Sequence, residues 1–281
     1  MHVLILSLDT SSPSGSVAIL RDEITLGVIS TRAEENYSSR MFRHLEFLLR
    51  DLSLKLDDFD VFAVSSGPGS FTGLRVGLTA AKGWAEVYRK PVVGVSALAA
   101  VAFQARARSA VLVPALDARR GQIYFGVYRT TAAGLALDGD EFVVTPEEFA
   151  EKLGALAHSR GADGDQGGAG GHHDSEGAPD GAASRGGHSG NERSHDAAVN
   201  ARDGRGFTIV TPDAAVVDLV SRLAPQFSAA FAGLDIVSSV LSPSIGRIAH
   251  ARALRGDVSD ALTLDANYVR RTDAEMRWKD G

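Results

Sequence analysis

A strand that runs into a glycine-rich turn and straight out into a long helix constrains the architecture of this chain more than any other feature. Residues 63–77 read AVSSGPGSFTGLRVG. Val61 to Ser65 has the apolar character of a buried strand, Gly67-Pro68-Gly69 is a turn whose glycines can reach positive φ, and Ser70 stands where a helix cap is needed. The helix predicted from Ser70 to Tyr88 begins with free N–H groups, which can hold an anion; the same segment serves equally as a tight turn without a ligand. No Gly-Lys-Ser/Thr follows, so it is not a Walker A loop, and Thr72 stands where GxGxxG needs its third glycine.

The elements around this unit alternate in the manner of an α/β fold. Strands are predicted at Val3–Leu8, Ser16–Leu20 and Ile24–Ser30, then a helix over Ser38–Leu52, with a short strand at Val92–Val95 and Ser96 as cap of the helix after it. A second unit opens with strands at Val111–Leu116 and Gln122–Arg129. Its segment VLVPALDARRGQIYFGVY parallels LILSLDTSSPSGSVAIL at the start of the chain: each has an apolar strand ending in Leu-Asp, a polar turn with glycine, and a β-rich outgoing strand. Two related α/β lobes are therefore expected. Helices near Pro146–Leu156, Asp213–Phe227 and Pro243–Leu254 and a strand at Phe207–Val210 follow. The expected division is an N-terminal lobe over 1–108, a C-terminal lobe over 109–273 and a flexible tail over 274–281.

The C-terminal lobe is interrupted between about residues 158 and 206 by a tract with scarcely a large apolar side chain, predicted to be a disordered insert. It holds five of the eight histidines; His172, His173, Asp174, His188 and His195 are available as metal ligands, but they lack a fixed tetrahedral spacing.

Composition removes whole classes of chemistry. The 281 residues include no cysteine, which excludes disulfides, thiolate metal sites and a Cys nucleophile. A formal charge of −6 argues against this chain alone gripping a polyphosphate backbone. No stretch reaches about 18 uninterrupted apolar residues and the first residues lack the pattern of a signal peptide, so a soluble, cytoplasmic protein with no membrane contact is expected.

Two helices carry the interaction signal. Met41, Leu45 and Leu48 repeat at helical spacing on the first. On the second, Gly73, Gly77 and Ala81 stand four residues apart with Ala80 beside them and Trp84 one turn on, making a nearly flat stripe that also involves Phe71 and Leu74. Interior helical glycines cost roughly 1 kcal/mol each relative to alanine, and close approach by another helix offsets that cost. That helix belongs either to this fold or to a partner; the partner is the reading adopted here, under which Gly77→Leu abolishes binding and leaves the fold intact.

Asp9 and Asp117, each at a strand end, can hold a hydrated Mg²⁺ beside phosphates or can simply start a turn. A nucleotide or anion cleft would join Asp9, Thr10 and Ser11 to Gly67, Gly69 and Ser70, with Asp117 and Arg119 opposite. No Ser-His-Asp order and no HxxxH pair occurs outside the insert, and no catalytic or metal residue is assigned.

LSLDTSSPSGSVAIL, SSGPGSFTGLRVGLTAAKGWA, GVSALAAVA and PALDARRGQIYFGVY together resemble the bacterial TsaB family, also called YeaZ. The blocks cover most of residues 3–129; the C-terminal half is only loosely similar, its Ala266-Asn267-Tyr268-Val269-Arg270 lacking the proline of the family's Pro-x-Tyr-Leu-Arg tail. The resemblance implies a two-lobe, actin-like fold and a role in making N6-threonylcarbamoyladenosine in tRNAs that read codons beginning with A. It implies a non-catalytic scaffold that pairs with the transferase TsaD through its first two helices, residues around 36–52 and 70–86 here. The small ATPase TsaE joins that assembly, a homodimer forms when the chain is alone, ATP and Mg²⁺ are bound by the partner subunits, and tRNA is reached through the complex. The competing reading is an actin-like ATPase in its own right, with Mg-ATP between the lobes; Thr10-Ser11-Ser12 lacks the glycine that lets phosphates approach the first hairpin in actin-like kinases.

Overall fold

The structure, a computed structural model, describes residues 2–32, 38–106, 109–162, 206–227, 230–267 and 269. Most of the expected insert, with its candidate metal ligands, and the expected tail lie outside the described residues.

Two sheets are built on one plan. In the first, β1 (Leu4–Asp9), β2 (Ser16–Arg21) and β3 (Ile24–Ser30) form an antiparallel meander, and β4 (Val61–Gly67) and β5 (Val92–Ser96) extend it in parallel, in the order β3-β2-β1-β4-β5. In the second, β6 (Val111–Arg119), β7 (Gln122–Phe125) and β10 (Phe142–Val144) take the meander positions, and β11 (Phe207–Thr211) and β12 (Phe231–Ile236) the parallel ones, in the order β10-β7-β6-β11-β12. The repeated Leu-Asp hairpin thus marks a repeat of the whole lobe, and the two-lobe actin-like expectation holds.

The predicted strand Gln122–Arg129 is broken. Pro114 on β6 has no N–H for the ladder, and the chain kinks opposite it at Gly126 and Val127. It then resumes as β8 (Tyr128–Thr131), which pairs with the start of β6 and with β9 (Gly134–Leu137).

Helices fill three layers. α1 (Ser38–Asp51) and α2 (Phe71–Tyr88) cover the outer face of the first sheet, where Leu4, Leu6, Leu8, Phe62 and Val64 meet Met41, Leu45, Leu48, Leu74 and Leu78. α4 (Pro146–Ala162) and α5 (Ala214–Leu223) cover the outer face of the second with Phe149, Leu153, Val216 and Val220. Between the sheets lie α3 (Ala97–Ala102), capped by Ser96, and α6 (Ser242–Leu254). Their contacts are exchanged: α3 follows the first sheet and packs on β6, whereas α6 follows the second and packs on β1, β2 and β4.

The expected division at residue 108 therefore does not describe where residues 242–267 lie. After α6 the chain crosses β5, where Val92 and Ser259 exchange backbone hydrogen bonds of 3.0 and 2.9 Å, and reaches the β4–α2 turn at Asn267, whose N–H donates to Ser66 O. Among the described residues no helix is long and apolar enough to cross a membrane.

Candidate functional site

A cavity of about 910 Å³ opens between the sheets, walled by the β1–β2 turn (Ser11 to Ser14), the β4–α2 turn (Pro68 to Ser70), the β6–β7 turn (Asp117 to Arg120) and the strap that follows α6. The Gly-Pro-Gly turn is placed by contact with the first hairpin. Ser70 N donates to Ser11 O at 2.7 Å, and a Cβ on Gly69 would lie 2.5 Å from that same oxygen. Gly67 takes φ 112°, and a side chain there would meet Asn267 O at 2.7 Å. Ser70 caps α2 as expected, accepting from Gly73 N at 3.3 Å.

Of the expected cleft residues, Ser11, Gly69, Ser70, Asp117 and Arg119 line this cavity. Asp9, Thr10 and Gly67 stand behind the wall. Asp9 is fully buried; its Oδ1 accepts from Ser11 N at 2.9 Å and Ser11 Oγ at 2.6 Å, while Oδ2 has no partner among the described residues. Burial pushes its carboxyl up to about 6, against the two Ser11 hydrogen bonds. Asp117 Oδ1 accepts from Arg119 N at 2.7 Å, and Asp117 N donates to Asp213 Oδ2 at 2.8 Å. Burial raises Asp213, with the Asp117 charge adding to the shift while the Asp117 N–H and Arg32 oppose it. Sequence reasoning singled out neither Asp213 nor Arg32, since neither belongs to a local motif.

The wall is mixed in charge. Arg32, Arg75, Arg119 and Arg120 face Asp117 and Asp213 across it, and Arg119 and Arg120 are held at φ 61° and 53°. The arginines and the N-terminus of α2 favour an anion, whereas the two carboxylates, each already accepting a backbone N–H, belong to no metal-holding cluster among the described residues.

The expected partner surface divides in two. Met41, Leu45, Leu48, Gly73, Leu74, Gly77 and Ala81 are buried in the lobe's own interior. The flat stripe does admit a close neighbour, but that neighbour is Thr10. A Cβ on Gly73 would lie 2.0 Å from Thr10 O, one on Gly77 would lie 2.3 Å from Thr10 Oγ1, and Thr10 Oγ1 donates to Gly73 O at 2.7 Å. The glycines therefore seat the first hairpin on α2, and replacing Gly77 by leucine cannot leave the fold intact.

Ala80 and Trp84 are half-buried and Phe71 is exposed, with the Arg75 guanidinium 3.9 Å from its ring centre. Around them the outer face carries groups not anticipated from sequence. Phe42 of α1 is 52 % exposed and meets Trp84 edge-on with centroids 6.3 Å apart, Val87 is 72 % exposed, and Gly83, deep inside α2, has nothing within 4 Å of where its Cβ would stand. Helical phase held the clue: Gly83 lies opposite the buried row Leu74, Leu78, Ala81 and Ala85.

Comparison with known proteins adds a lineage to this geometry. Residues 18–160 match a family model described as TsaD: tRNA N6-adenosine threonylcarbamoyltransferase. The tRNA threonylcarbamoyladenosine biosynthesis protein TsaB of Escherichia coli is 30% identical over 159 residues, 54% of this chain and 67% of that protein. The chain belongs to the TsaB family. Its counterpart in Bacillus subtilis, of the same name, is 36% identical over 125 residues, 44% of this chain, and the match spans only 55% of the relative's length. YeaZ from Pseudomonas aeruginosa has the same fold, with a TM-score of 0.62 at 22% identity, covering 95% of this chain and 99% of its own. The TsaB-family similarity is thus a whole-fold likeness whose sequence signal is concentrated before the insert.

Proposed function

We propose that this chain acts in the formation of N6-threonylcarbamoyladenosine in tRNA, as a cytoplasmic, non-catalytic subunit that docks a TsaD-like transferase against α1 and α2. The relatives' names supply the pathway. The observation that carries the docking reading is Gly83: a glycine inside an 18-residue helix, unpacked by any described residue, on a face that also carries Phe42, Ala80, Trp84 and Val87. An interior glycine that costs roughly 1 kcal/mol and has no neighbour among the described residues suits a second helix approaching closely. Apolar side chains around a bare backbone are what such a contact buries.

The test is reconstitution of the modification on tRNA with the transferase, a TsaE-like ATPase and a threonylcarbamoyl donor, with and without this chain. Modification that requires the chain and is lost with Gly83→Leu supports the reading, and modification independent of the chain refutes it. The competing reading, Mg-ATP hydrolysis by this chain itself, draws support from the size and arginine lining of the cavity. ATP titration of the isolated chain with Mg²⁺ distinguishes the two, because the scaffold reading requires no nucleotide here.

A further inference from the structure

Away from α1 and α2, three polar side chains from distant parts of the chain converge on one half-buried carboxylate. Glu141, just before β10, accepts from Tyr128 OH on β8 at 2.5 Å and from the hydroxyl of Ser96, the residue that ends β5 and caps α3, through Oε1; its Oε2 accepts from Asn267 Nδ2 at 2.6 Å. Asn267 lies at the far end of the strap's described stretch, 255–267. Its N–H donates to Ser66 O at 2.7 Å, its carbonyl leaves room for nothing larger than Gly67, and its side chain borders the cavity.

The strap's root is fastened separately. Val92 and Ser259 hold it to β5, Leu264 packs over Gly94, and Lys82 Nζ on α2 donates to Leu264 O at 2.8 Å. Beyond Leu264, among the described residues, Glu141 supplies the side-chain hydrogen bond toward the second sheet, while Val269 packs on the core between the sheets. From this arrangement we infer that Glu141 is a latch: through Asn267 it clamps the end of the strap and the Ser66–Ser70 turn to the second sheet, and its release opens the cavity between the lobes.

Three donors converging on one carboxylate are what fix an ionised acceptor, and charge-assisted bonds of this kind are about twice as strong as neutral ones. Burial raises Glu141 and the three donors oppose that shift, so the carboxylate depends on all of them. The inference does not rest on the proposed function.

Hydrogen exchange of the full-length protein tests it with Glu141→Gln, which keeps the volume and the acceptor for Ser96 and Tyr128 but turns an amide donor on the amide of Asn267. Exchange at residues 66–70 and 265–267 is expected to rise about tenfold or more, with the strap root at 259–264 and the outer helices unchanged. Asn267→Asp in the same chain reverses the polarity of both partners, so the double variant is expected to return those amides to within about threefold of wild type. Exchange confined to the neighbours of residue 141, a rise spread evenly over both sheets, or failure of the second substitution to rescue the first overturns the latch.

Discussion

Thr10 Oγ1 donates to the carbonyl oxygen of Gly73 at 2.7 Å, and one turn further along α2 the same oxygen lies 2.3 Å from where a Cβ on Gly77 would stand. One threonine thus joins the first hairpin to the helix that follows the Gly-Pro-Gly turn, and the bare backbone of α2 is the seat it occupies. Gly77→Ala is expected to destabilise the protein by about 1–3 kcal/mol, the usual range for overpacking. In a Thr10→Ala background the clashing oxygen is gone, so the penalty is expected to shrink by at least about 0.5 kcal/mol. Urea unfolding of the two single variants and the double variant measures that coupling; strict additivity contradicts the contact.

Gly83 makes the opposite prediction on the same helix. No described residue occupies the space of its Cβ, so Gly83→Ala is expected to stabilise the isolated protein by up to about 1 kcal/mol through helix propensity and a less mobile unfolded chain. A loss of stability in denaturant unfolding would show that the glycine serves this fold after all.

Asp9 gives the protein a defined pH dependence. Burial pushes its carboxyl up to about 6 in the folded state from 3.8 for a free aspartate, so between those values the folded chain holds a proton that the unfolded chain has released. This group's contribution is fully present below about pH 4 and is lost as pH rises through 6, a swing of the order of 3 kcal/mol. Asp9→Asn removes the titration. The stability of the variant relative to wild type is therefore expected to grow from pH 4 to pH 7 and level off above it, as read from chemical unfolding across that range. A difference independent of pH contradicts the assignment.

Much of this architecture is visible in the residues, and what is not visible has physical causes. The β4–α2 unit could be read because Gly67, Gly69 and Ser70 are local requirements of a turn and a cap. The repeated Leu-Asp hairpin was weak as sequence similarity, yet it marks two sheets with the same strand order. β9, β10 and β12 were missed, the first two being only four and three residues long, with little alternation to detect. The stripe on α2 was seen but its neighbour misjudged: periodicity shows which residues share a face, not what that face meets, and 63 positions separate Thr10 from Gly73. The Glu141 cluster left no trace for the same reason, since Asn267 is 126 positions away.

Binding of a TsaD-like transferase separates a docking role for the outer face of α1 and α2 from a bare surface. A titration of purified TsaD-like transferase with wild type, Gly83→Leu and, as a control on the far sheet, Ile236→Arg, each first shown to unfold at the wild-type temperature, separates interface from fold. A leucine at position 83 is expected to weaken binding about a hundredfold or more, the loss of a central contact of about 2.7 kcal/mol, while the substitution at the 61 % exposed Ile236 leaves binding within about twofold. Gly83→Leu binding as tightly as wild type would contradict the account.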